Sequence, residues 1–169
     1  MFDPISPRRG RAATHDQPAA IEPPHIDAAA LQAWSWLKEL YPSELAEFEG
    51  YGAPYCLRLC EPVSDTELDI RLDLAHAQLH FCSTMASLPQ GSEHKALDFL
   101  EGNRHLNWPQ AQLHFAYWPE RREIFVRGAA ALAQFDGCSS LQAFLQELLA
   151  RVAQLKAQSR LWAGDAPCA

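Results

Sequence analysis

An α+β fold is expected from this chain of 169 residues, in the order helix, three antiparallel strands, helix, two-strand hairpin and long C-terminal helix (α-β-β-β-α-β-β-α). Three observations point to it. Apolar residues recur at spacings of three and four towards both ends, the period switches to two in the middle, and the links between the alternating runs are too short for parallel crossovers. With 48% hydrophobic and 10% aromatic residues, the chain has the material for a core, and its length suits one domain.

Residues 1–25 hold Pro4, Pro7, Pro18, Pro23 and Pro24 and charges that cancel, Arg8, Arg9 and Arg11 against Asp3, Asp16 and Glu22. With no packing face, this stretch reads as a disordered tail, or as one that docks on the domain or on a partner. The domain follows over 26–163, with 164–169 a frayed end. Asp27 is placed to cap a first helix whose stripe is Leu31, Trp34, Leu37, Leu40 and Tyr41. Pro42 stops or kinks it, and another turn carrying Leu45 and Phe48 runs to Gly50 and Gly52.

From Tyr55 the pattern alternates. Tyr55, Leu57 and Leu59 oppose Cys56, Arg58 and Cys60, then Leu68, Ile70, Leu72 and Leu74 oppose Asp69, Arg71 and Asp73. A third run, Ala77, Leu79 and Phe81, follows a turn near Ala75 and His76 that lacks an Asn-Gly or Asp-Gly signal. Ser92 is placed to cap a short helix from Glu93 to His105 with Ala96, Phe99, Leu100 and Leu106 apolar. Leu113, Phe115 and Tyr117 alternate before Pro119-Glu120-Arg121-Arg122 turns the chain into Glu123 to Arg127. Ser139 and Gln142 have capping-box spacing ahead of the stripe Leu141, Phe144, Leu145, Leu148, Val152 and Leu155.

Charge and composition exclude several classes of function. A net charge of −7 disfavours a nucleic-acid surface or an acidic membrane. No run approaches the roughly 18–20 apolar residues of a membrane helix, and the basic, proline-broken start does not read as a secretory signal, so a cytoplasmic site is the expectation. Five scattered cysteines, Cys56, Cys60, Cys82, Cys138 and Cys168, read as free thiols. On a strand Cys56 and Cys60 lie about 13 Å apart, beyond disulfide reach, and the same spacing keeps His76 and His80 from sharing a metal. His80 and Cys82 share a face and, with His114, carry the runner-up from another class, a small metal- or thiol-dependent enzyme. Asp69, Asp73, Glu120 and Glu123 read as wet-face residues rather than paired acid and base.

What remains is apolar surplus. Trp34, Trp36, Trp108, Trp118 and Trp162, with eight phenylalanines, exceed what one helix-covered sheet obviously hides. Trp34 and Trp36 cannot share a helix face, and Tyr117 and Trp118 point to opposite sides of a strand. Burial against another chain, or under the tail and loops, resolves this.

The order of elements, the acidic balance and the spare apolar surface resemble the type III secretion chaperones of the Tir-chaperone (CesT-like) family, over about residues 27 to 160. The likeness is best where LDFLEGNRHL, LHFAYWPERREIFVRGAAAL and SSLQAFLQELLARVAQL follow that family's helix, hairpin and final helix. The proline-rich tail and the histidine and tryptophan content depart from it. The resemblance implies a non-enzymatic cytoplasmic homodimer, without cofactor or metal, that holds the N-terminal segment of a secreted effector partly unfolded before export. It also leaves room for the secretion ATPase as a further partner, and for a regulatory role in which a transcriptional regulator is sequestered. Mapped onto this chain, it places the dimer interface at Phe99, Leu106, Trp108, Phe115 and Tyr117, and the effector against Leu31, Trp34, Leu57, Leu59 and Ile70.

Overall fold

The computed structural model describes residues 27–44 and 55–163. The expected proline-rich tail, the turn with Leu45, Phe48, Gly50 and Gly52, the last six residues and Cys168 lie outside the described residues.

Helix α1 (Ala28–Leu40) begins where expected, because an Asp27 carboxylate oxygen accepts from the Ala29 N–H at 2.7 Å. The Asp27 N–H donates to the Leu74 carbonyl, which fixes the start of the helix against the sheet. Tyr41 ends α1, and residues 42–44 are again helical.

Five antiparallel strands follow: β1 (Cys56–Glu61), β2 (Thr66–Asp73), β3 (Gln78–Ser87), β4 (Gln112–Trp118) and β5 (Glu123–Ala131), in the spatial order β1-β2-β3-β5-β4. Each of the three hairpin turns closes on a non-glycine residue with left-handed φ: Asp65 (52°), Ala77 (50°) and Arg122 (54°). Side chains supply part of what glycine would have given. Glu61 accepts from the Val63 and Ser64 N–H groups, and Asp73 from those of Ala75 and His76.

β3 and β5 each run about four residues further than their alternation predicts. The extensions hold Ser83 and Met85 in one strand and Gly128 and Ala130 in the other, all buried, so small and polar residues occupy core positions there. Gly128 lies opposite Phe81, and a β-carbon on it would overlap the Gln112 carbonyl oxygen and come within 2.6 Å of Phe81 Cζ. Pairing of β2 with β3 stops at Asp69 and Cys82, just ahead of a bulge between Thr84 and Ala86.

Helix α2 (Lys95–Glu101) continues as a 3₁₀ turn over Gly102–His105. It starts later than expected and no side chain caps it; the Ser92 carbonyl accepts from Lys95 instead. Helix α3 (Cys138–Ala163) is tied to the chain before it from inside its first turn: the Ser140 hydroxyl oxygen accepts from the Asp136 and Gly137 N–H groups at 3.1 and 3.2 Å. Leu141, Phe144, Leu145, Leu148 and Val152 are buried along the expected stripe.

All three helices lie on one face of the sheet. The side chains Leu57, Leu59, Leu68, Ile70, Leu79, Phe81 and Val126 turn towards α1 and α3, and Phe99 of α2 meets Phe115 edge-on at 5.8 Å. Trp108 stacks on Phe144 at 5.0 Å. The opposite face has no cover among the described residues.

Candidate functional site

Strand alternation decides what the uncovered face displays. In register, Cys56, Arg71, His80, Ala129 and Gln112 form one row across the five strands, and Arg58, Asp69, Cys82, Arg127 and His114 form the next. Phe125 and Ala116 follow towards the β4–β5 turn, and no side chain in these rows is fully buried. All of these but Arg58 and Ala116 line a groove of about 780 Å³.

The charges of the face are unevenly used. Arg58 grips Asp69 with two hydrogen bonds, at 2.5 and 3.0 Å, and reaches Glu67 at 3.2 Å. Asp73 binds the His76 ring at 2.9 Å, with His80 at 3.7 Å; the His76 side chain first, then the His76 and Ala75 N–H groups, hold its carboxyl below the usual range. Arg127 Nε donates to His114 Nε2 at 2.6 Å; burial and the guanidinium beside it both push the imidazole pKa down, so His114 accepts as the neutral ring.

His76, His80 and Cys82 form no group of three ligands, and no such group exists among the described residues. Burial raises the pKa of the Cys82 thiol, with Asp69 adding to it, and burial likewise raises that of Cys56. A thiol pushed up is a poorer nucleophile, since the thiolate is the reacting form. Cys56, Cys60, Cys82 and Cys138 are free. Among the described residues no helix is long and apolar enough to cross a membrane.

The two sheet edges differ. On β4 the Asn103 side chain pairs with both main-chain groups of Phe115: its amide donates to the Phe115 carbonyl at 3.1 Å and its oxygen accepts from the Phe115 N–H. That closes the outer edge of β4 at its centre. The outer edge of β1 has no such partner among the described residues.

Among the described residues the large exposed apolar side chains are Leu31, Val63, Leu97, Leu100 and Trp118, and the last three lie towards the closed edge. On α2, Ala96 and Phe99 are buried, yet Leu97 is 62% and Leu100 37% exposed, so the helix is greasy on both sides. Trp118 is 43% exposed under the stacked guanidinium of Arg121, 4.4 Å from the ring centre.

The structure distributes the sequence candidates between core and surface. Phe99, Trp108 and Phe115 are buried within the protomer, while Leu106 and Tyr117 are half-buried beside them. Of the effector candidates, Leu31 is 48% exposed, whereas Trp34, Leu57, Leu59 and Ile70 are buried. Much of the aromatic surplus is therefore absorbed internally: Trp34 packs edge-on against Tyr55 at 5.1 Å, and Trp36 is half-buried against the core. Sequence reasoning missed Leu97 and Phe125. The signal for Phe125 was present, because Ile124 and Val126 on either side face inward and alternation forces the ring between them outward.

No protein-family model matches the chain, and no curated protein matches it. Among solved structures it is similar to the ExsC-ExsE complex, with 18% identity and a TM-score of 0.44 over 79% of this chain and 98% of that one. It is also similar to the heterodimeric ExoU-SpcU complex from the type III secretion system of Pseudomonas aeruginosa, with 19% identity and a TM-score of 0.41 over 72% of this chain and 94% of that one.

Proposed function

We propose that this protein is a non-enzymatic chaperone of the type III secretion class, of the Tir-chaperone kind, which binds the N-terminal segment of an effector in the cytoplasm and keeps it export-competent. The observation that carries the reading is the asymmetry of the sheet: among the described residues three helices cover one face, Asn103 closes the β4 edge at its centre, and nothing covers the β1 edge or the other face. An extended segment gains main-chain hydrogen bonds by adding to an open edge, and it needs no catalytic group. Along β1 such a segment would pass Leu31, with Trp34, Leu57, Leu59 and Ile70 as the packed support beneath. The protein acts as a homodimer joined through Leu97 and Leu100 of α2, with Leu106 and Tyr117 at the margin and Phe99, Trp108 and Phe115 holding that surface in shape.

The test is co-expression with the first hundred residues of effectors from the source cells, followed by hydrogen exchange on the purified complex. Two copies of this chain per effector segment, with new amide protection along Cys56–Glu61, is the expected result. A stable complex that leaves β1 unprotected refutes strand addition; absence of any complex, with effector export undiminished when the protein is deleted, refutes the function. Leu31→Glu is the surface probe for the first helix, since a glutamate at Trp34 would be buried against Tyr55 and would test folding instead.

A further inference from the structure

The chain ahead of α1 meets the sheet at one corner of the open face. The Leu72 N–H of β2 donates to the Tyr55 carbonyl just ahead of β1, and Leu74 is the next residue to point the same way. Its carbonyl accepts from the Asp27 N–H at 3.0 Å, so Asp27, extended at φ −72° and ψ 135°, stands in line with β1 beyond Tyr55. From this corner α1 departs on the covered side, where Trp34 packs against Tyr55. The groove of the other face begins at the same corner, with Cys56 and Arg71.

Residues 18–26, which lead into that point, have a period of their own. Pro18, Ile21 and Pro24 recur at a spacing of three, one turn of a polyproline helix, and in that conformation they make a single apolar ridge. At about 3.1 Å per residue the stretch reaches about 25 Å, against about 19 Å from β1 to β4. Glu22 is its one Asp or Glu, and it holds no Lys or Arg. The groove suits such a ridge, because its floor of Cys56, His80, Cys82, Phe125 and Ala129 is half-buried and largely apolar. On the face around it Arg58, Arg71 and Arg127 stand among Glu67, Asp69, Asp73 and Glu123, so charge favours neither an acidic nor a basic occupant. The β1 edge does not suit the same stretch. Successive residues of a strand send their N–H groups to opposite sides, so one of Pro23 and Pro24 would always face β1 with nothing to donate.

We propose that residues 18–26 cross the chain's own open face as a polyproline helix, with Pro18, Ile21 and Pro24 against the groove floor. The face is then closed from within, and the β1 edge is the part of the sheet left to a partner. The docking stands apart from the chaperone reading, since it needs no second protein.

The test is alkylation by iodoacetamide of the full-length protein, with each cysteine followed by peptide mass spectrometry. Cys56 and Cys82 lie in the groove, while Cys60 is exposed outside it and serves as the reference. Ile21→Glu should speed alkylation of Cys56 and Cys82 about tenfold and leave Cys60 unchanged, and Ile21→Val should behave as the natural chain. Equal rates at Cys82 in the natural chain and the Glu variant overturn the proposal. So does acceleration at Cys60 and Cys138 as well, which marks a loosened fold. A photoreactive benzophenone side chain at position 21 should join residues 123–131 of the same chain; a bond to the helices, or one between two chains, overturns the docking and in the second case assigns the face to another copy. An effector complex formed without any protection of Cys82 sinks the docking and leaves the chaperone function standing, whereas protection without any effector complex does the opposite.

Discussion

Placing Glu at both Leu97 and Leu100 should turn a dimer into a folded monomer. Burying a leucine completely is worth about 1.5–3 kcal/mol, and the exposed fractions, 62% and 37%, leave about 1–2 and 0.5–1 kcal/mol still to be gained at a partner's surface. Across a two-fold interface every contact occurs twice, so the pair contributes about 3–6 kcal/mol and its removal weakens association by roughly a hundredfold to ten-thousandfold. Four carboxylates brought together at the axis push in the same direction. The helix itself should survive, because Ala96 and Phe99, which anchor it, point the other way. Light scattering at micromolar concentration should give twice 18.9 kDa for the natural chain and 18.9 kDa for the variant, with thermal unfolding changed by less than about 0.5 kcal/mol. A variant that stays dimeric, or a natural chain that is already monomeric, refutes the reasoning.

Gly128→Ala, a change that normally strengthens a strand, should here cost about 2–4 kcal/mol in urea unfolding, because the new methyl meets the main chain of β4 and the Phe81 ring. Ala77→Gly should do the reverse: relieving a left-handed alanine should add about 0.5–1 kcal/mol and raise the melting temperature by about 1–4 °C. Among the described residues the buried Ser83 hydroxyl has no hydrogen-bond partner, so Ser83→Ala should stabilise the fold by about 1 kcal/mol, and a loss of that size would reveal a hidden partner. His114 has its pKa lowered on folding, so its contribution is complete above its ordinary value of 6.5 and is lost as the pH falls towards the lower folded value. The urea midpoint should therefore drop between pH 7 and pH 5, and drop less in His114→Gln.

Where residues are large, the fold was legible in the sequence. The cap at Asp27, the alternation of β1 and β2, and the Leu141 to Val152 stripe appear where apolar bulk and period mark them. The ends of β3 and β5 were not legible, because Ser83, Gly128 and Ala130 fill core positions that a pattern reader assigns to loop. Alternation sets their inward direction, and at Gly128 the Phe81 ring takes the space a side chain would have used. The open face was legible only in part: alternation places Arg58, Arg71 and Arg127 on it, but that Arg58 grips Asp69 and Arg127 bonds His114 depends on contacts between strands. On α2 the sequence marks a short apolar helix and leaves its two faces indistinguishable; only the contact of Phe99 with Phe115 shows which side is spare.

The strand order carries a consequence for how the chain is made. β1, β2 and β3 are joined by four-residue turns and can zip together as they emerge, but the free side of β3 is filled by β5, which is synthesised last and seats between β3 and β4. During translation the edge of β3 therefore stands open until residue 131 has cleared the ribosome, and β4 has no neighbour in the sheet before then. Closing that gap joins segments some forty residues apart, which makes the seating of β5 the slow step and the interval before it the time of greatest exposure to aggregation. The sheet thus holds an unpaired edge of its own for part of the way to the native state.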